Sequence, residues 1–264
     1  MRVFRSELLR LRRRMVVVGW LGLSALFAVL INTVMFSNAT ASSSPAARGP
    51  GVAFPTLDTL QSPHGLVAGL GSAATILGVV TLSFWALTTA TDYSSGLIRV
   101  LAAAQPRRWR LLAGKVTALA AATAVATTVA LVANLLAAPA AAQAAGVSTD
   151  RWSEHMGSTV LTGWLHLFLA LLVWGVVGLS LAVATRSSAV AISVGVGYVL
   201  VVEGVISTAF DGLRDWLPGS TLSALAQGGT FAVPLTTALA LGMLYAGAAL
   251  ALATLLLRRR DITD

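Results

Sequence analysis

Six apolar runs of at least 22 residues each dominate the 264-residue chain: Met15–Phe36, Gly65–Ala90, Leu112–Ala138, Ser158–Ala184, Ala189–Phe210 and Ala232–Leu257. At 1.5 Å per helical residue, each can cross a hydrocarbon core of ~30 Å. Backbone amides in lipid need partners inside their own segment, and runs this long without apolar–polar alternation are not barrel strands. The expected fold class is an all-α membrane protein, with six transmembrane helices in one domain spanning residues 1–264. Composition agrees, since 56% of residues are hydrophobic and 11% charged, about half the charged share of a soluble domain. The absence of cysteine excludes disulfide scaffolds, thiolate metal sites and cysteine nucleophiles.

A net charge of +8 raises the question of nucleic acid, but topology accounts for it. The N-terminal segment holds six arginines, the second connection five basic residues (Arg99, Arg107, Arg108, Arg110, Lys115), the fourth Arg186 alone, and the C-terminus Arg258, Arg259 and Arg260. The alternate connections hold only Arg48, Arg151 and Arg214. Fifteen against three predicts both termini in the cytoplasm, and no nucleic-acid partner is expected. Arg-rich residues 1–14, the apolar run after them and Ala39-Thr40-Ala41 together mimic a secretory signal. The run Met15–Ile31 exceeds the ~7–15 residues of a signal core, so an uncleaved first helix is expected.

Among the outer connections, Ser37–His64 reads as a flexible loop rich in Ser, Pro and Gly, and Pro139–Gly157 as a polar link with Trp152 as an interfacial anchor. Asp211–Phe231 is too apolar for a free loop and too broken by Pro218, Gly228 and Gly229 for a span. It predicts short helices re-entering the outer face of the membrane, shielded by protein. On the other side, Phe4, Leu8, Leu11 and Met15 recur at helical spacing among arginines. Residues 1–14 therefore read as an amphipathic interfacial helix, with a plain topogenic flank as the alternative.

The second-to-third connection, residues 92–110, is longer than a turn between membrane helices needs. Asp92 reads as an N-cap, followed by a short helix through Leu97, Ile98 and Leu101 that breaks at Pro106 before a basic cluster. A mostly apolar helix in the cytosol calls for a protein that covers it.

Asp92, then Gly96-Leu97-Ile98-Arg99, an apolar stretch, Arg107-Arg108-Trp109-Arg110 and Gly114-Lys115 resemble the corresponding connection of type-2 ABC transporter permeases. Members often carry Glu and Thr where this chain has Asp92 and Leu97. Val201-Val202-Glu203-Gly204 followed by Trp216-Leu217-Pro218, the basic N-terminal helix and the six spans are similar too. The resemblance implies that residues 92–110 form a coupling helix docking on a separate ABC ATP-binding subunit. It further implies that two permease copies, or this chain and a paralogue, enclose a path in a bacterial cytoplasmic (inner) membrane. ATP and Mg would bind the partner, with no cofactor on this chain. Asp92, Gly96, Leu97 and Arg99 are then the docking residues, joined by Arg107, Arg108 and Arg110, for which lipid-phosphate anchoring is the competing reading.

Glu203 is the one charged residue deep within a span. A carboxylate there costs at least ~2–3 kcal/mol unless it faces a partner or cavity. It either lines or gates the translocation path, or makes a structural hydrogen bond to the outer segment or to His166. His166 and Asn134 lack a second metal-ligand type at i+3 or i+4, so hydrogen-bonded packing is expected and no metal. Gly65-x3-Gly69 and Ser193-x3-Gly197 permit close helix approach. Residue 109, where a phosphate-binding loop would need glycine, is tryptophan, so Gly114-Lys115 is no P-loop. HExxH, GxSxG and paired interior carboxylates are missing, which argues against an enzyme. A membrane scaffold or immunity-type protein holding a cytoplasmic partner, and a self-sufficient channel or carrier, are the other readings left open.

Overall fold

The computed structural model describes residues 14–39, 55–97 and 108–259. Among them the chain is helical without strands: α1 (Arg14–Ser37), α2 (Leu57–Gln61), α3 (Gly65–Ser94), α4 (Arg108–Ala144), α5 (Met156–Thr185), α6 (Ser188–Gly197), α7 (Glu203–Ala209), α8 (Pro218–Ala226) and α9 (Leu235–Arg259). Six segments are long and apolar enough to cross a membrane: Met15–Ser37, Gly65–Ser94, Trp109–Ala144, Met156–Thr185, Ser188–Ile206 and Leu235–Leu257. The architecture is that of a multi-pass helical membrane protein. The amphipathic helix expected over residues 1–14 lies outside the described residues, apart from the backbone of Arg14, where α1 begins.

Helix α3 is the axis of the bundle, packing against α1, α2, α4, α5, α6 and α8. Its closest neighbour is α5, and small residues let the two backbones approach. The Trp174 ring lies on Gly78, the Trp85 ring on Gly175, and Gly178 is so near the Leu82 carbonyl that a Cβ there would sit 2.3 Å from its oxygen. Polar ties join α4 to α3 and α1 to α4. The Trp85 indole donates to Thr123 Oγ1 at 3.0 Å, and Asn134 Nδ2 donates to the Leu66 carbonyl at 2.8 Å. Asn32 of α1 donates to the Asn134 carbonyl at 3.3 Å. In an apolar interior such bonds select one register among many that apolar packing alone would allow.

Three expectations for the outer connections change. Helix α4 continues through Pro139 to Ala144, because the alanines that follow are the strongest helix formers. The stretch Ser37–His64 contains α2, N-capped by Thr56, with Leu60 fully buried. Trp152 is buried and not an interfacial anchor: its indole packs on Phe36 and donates to the Leu60 carbonyl at 2.9 Å. The carbonyls in the last turn of a helix have no partner within it, and α2 offers one to the buried indole N–H.

The fifth span is divided into α6, a wider π turn over Tyr198–Val202 and α7. Ala191, Gly195, Val199 and Glu203, four residues apart, are all buried. In a regular α-helix each step of four advances by about 40°, so three steps would swing Glu203 about 120° off the face set by Ala191. The π turn absorbs this drift. After α7, a 3-10 turn over Asp211–Trp216 leads into α8, whose Leu222, Ala224 and Leu225 enter the main core. Gln227 lies against Gly71, and Gly228 against His166. His166 stands ten residues into α5, about 15 Å along its axis.

Candidate functional site

The second-to-third connection is mounted on the ends of α3 and α4. Asp92 is not the N-cap of a new helix, as its position suggested, because α3 continues through it to Ser94. Thr88 and Asp92, one turn apart, face α4, where the Lys115 ammonium donates to the Thr88 carbonyl at 3.1 Å and pairs with the Asp92 carboxylate. The two side chains keep 16% (Asp92) and 12% (Lys115) of their exposure, so water screens this pair far less than a surface ion pair.

Gly96 follows the C-cap Ser95 with φ +68°, and its N–H bonds to the Tyr93 carbonyl at 3.1 Å. Among the described residues, its chain neighbours apart, no atom lies within 4 Å of where its Cβ would be, and its positive φ is the left-handed helix stop that favours glycine. Leu97 is half-buried. Arg99, Arg107 and the rest of 98–107 lie outside the described residues, as does the Arg108 side chain. Arg110 is exposed, its guanidinium 5.5 Å from the centre of the exposed Trp109 ring.

Glu203 occupies a second, separate location. Its carboxylate accepts from the Gly219 N–H at 2.9 Å, the Ser220 N–H at 2.8 Å and the Ser220 hydroxyl at 3.4 Å. Helix α8 opens with Pro218, which has no N–H, and its N-cap position, Leu217, has no capping side chain. The next two amides point outward without intrahelical acceptors, and a carboxylate from another helix takes both. The positive end of the α8 dipole adds to the attraction. Gly219 leaves room for the carboxylate, since a Cβ there would lie 2.5 Å from both Glu203 oxygens and displace them. Of the partners expected for Glu203, the 211–231 segment is therefore the one found, and not His166.

Glu203 lies fifteen residues beyond Ser188, about 22 Å along the fifth span, so it is not brought together with Asp92, Gly96 or Arg110. Sequence reasoning used Lys115 for topology and in the Gly114-Lys115 motif but gave it no partner, and it overlooked Thr88, Gly219 and Ser220. Two signals pointed to them: Lys115 is the only lysine among 18 basic residues, and Pro218-Gly219-Ser220 has the form of a helix start. No model of a known protein family matches the chain, and no curated protein is similar to it.

Proposed function

We propose that the chain is the membrane-spanning permease subunit of an ATP-driven ABC exporter, forming the substrate path with a second copy or a paralogue. A separate ATP-binding subunit grips the connection between α3 and α4 in the cytoplasm, and both termini lie on that side. Gly96, Leu97 and Arg99 make the docking contact, with Arg107, Arg108 and Arg110 beside them. Nucleotide binding pulls the connection and shifts the bundle between inward-open and outward-open states. Helix α8, its N-terminus held by Glu203, is a re-entrant element closing the outer end of the path.

One observation carries the reading. The connection is attached to α3, which packs against α1, α2, α4, α5, α6 and α8. With 30 residues in α3 and 37 in α4, both rods measure about 45–55 Å and outreach a ~30 Å hydrocarbon core. Force applied at their ends thus reaches the whole core.

Purifying the full chain from its native membrane and reconstituting it in lipid tests the proposal. An ATPase with its own phosphate-binding loop should co-purify, ATP should drive substrate export, and Arg99→Glu should abolish stimulated hydrolysis. A nucleotide-insensitive partner would support the scaffold reading, and transport on an ion gradient without an ATPase would support a carrier. Either result overturns the proposal.

A further inference from the structure

Asp92 and Lys115 do more than neutralise one another. Of 18 basic residues, 17 are arginine, and the single lysine is the one turned into the narrow space between α3 and α4. Two acceptors one helical turn apart, the Thr88 carbonyl and the Asp92 carboxylate, converge on its ammonium. A compact ammonium with three divergent donors fits that geometry, whereas a planar guanidinium fork is wider and points its donors in one plane. The α3 carbonyls also carry the negative end of the helix dipole, which favours a cation there. Below the pair, the chain leaves α3 at Ser95 and returns at Arg108, so this contact closes the base of the whole connection.

We propose that Asp92 and Lys115 are positioning residues: a clasp that makes the ends of α3 and α4 move as one body when the connection is pulled. This inference rests on the exporter reading for the source of the pull. With the clasp closed, displacement of the connection is carried into both rods together. With the clasp open, the thirteen residues from Ser95 to Arg107 could shift while the rods slide past each other, and the pull would be lost. Asp92 thereby belongs to the stem of the lever and not to its docking face.

The absence of cysteine allows a clean test on the full chain. Spin labels on Ser94→Cys and Ala113→Cys, both exposed positions flanking the pair, report the separation of the two helix ends. With Asp92 and Lys115 intact, the distance distribution should be narrow. Asp92→Asn, Lys115→Met and also Lys115→Arg should broaden it at least twofold, and the exchange Asp92→Lys with Lys115→Asp should not restore it, because a carboxylate at 115 has no donor for the Thr88 carbonyl. In the reconstituted complex the same three single variants should still bind the ATPase, but with transport per ATP hydrolysed at least fivefold lower.

An unchanged distribution in Lys115→Met and Asp92→Asn would overturn the clasp. Normal behaviour of Lys115→Arg in both assays would also overturn it, since only a topogenic positive charge would then be needed. Broadening without loss of coupling would show that the pair holds the stem but transmits nothing, and the proposal would fall. If the unmodified chain recruits no ATPase, the exporter reading itself fails and transmission fails with it. That outcome is told apart from failure of the clasp alone, in which the ATPase binds and the variants couple normally.

Discussion

A carboxylate that accepts two backbone N–H groups from a helix start cannot be removed quietly from an apolar interior. Glu203→Ala leaves the Gly219 and Ser220 amides without acceptors, at a cost of about 1–3 kcal/mol each, so thermal unfolding in detergent should fall by several degrees. Glu203→Gln keeps an acceptor for one of the two amides and turns an NH2 toward the other, so it should still assemble, with a smaller loss of stability than Glu203→Ala, while altering transport. Parental transport rates with Gln and Ala alike would remove Glu203 from the mechanism. Gly219→Ala attacks the same contact from the other side, because its Cβ would lie 2.5 Å from both carboxylate oxygens. The carboxylate end can shift, so the variant should lower the unfolding temperature less than Glu203→Ala does, and added to Glu203→Ala it should cost little more, the mark of two residues serving one contact.

At the scale of elements, the α3–α5 pair depends on backbone proximity. Gly178→Ala places a methyl group 2.3 Å from the Leu82 carbonyl oxygen, where relief requires the two helices to part. Overpacking of this kind costs about 1–3 kcal/mol, measurable as a shift in thermal unfolding. Gly22→Ala in α1, where among the described residues no atom outside the helix's own neighbouring backbone lies within 4 Å of the new Cβ, should be neutral or slightly stabilising. The π turn of the fifth span makes a sharper claim. From Ala191 to Glu203 three turns take twelve residues, one more than the eleven that a regular helix would use. Deleting Leu200 should therefore leave Glu203 facing α8, with stability close to that of the parent. Inserting an alanine after Val201 should turn Glu203 about 100° away and reproduce the instability of Glu203→Ala.

For the whole molecule, the orientation read from charge is open to direct measurement. Single cysteines at Ser148 and Ser153, both exposed between α4 and α5, should react with a membrane-impermeant maleimide in intact cells. A cysteine at Ser94 should react only after lysis. The reverse pattern would invert the molecule and take the α3–α4 connection out of reach of any cytoplasmic ATPase.

Much of this protein can be read from the sequence because hydrophobic length and charge asymmetry are one-dimensional quantities. Six runs that must satisfy their own backbone in lipid become six helices, and a fifteen-to-three distribution of basic residues predicts which ends face inward. Where side chains find their partners is a different kind of information. The Glu203 carboxylate meets amides sixteen and seventeen residues away, Lys115 meets Asp92 across 23, and Trp152 meets the Leu60 carbonyl across 92. Each pairing joins segments that only the packed bundle brings together. In an apolar interior a polar group must bond to whatever the packing brings within reach, and packing depends on small-residue contacts that a uniformly Ala- and Leu-rich sequence does not distinguish. The tertiary structure alone therefore turned Asp92 from a helix cap into half of an ion pair, and Trp152 from a membrane anchor into a buried donor.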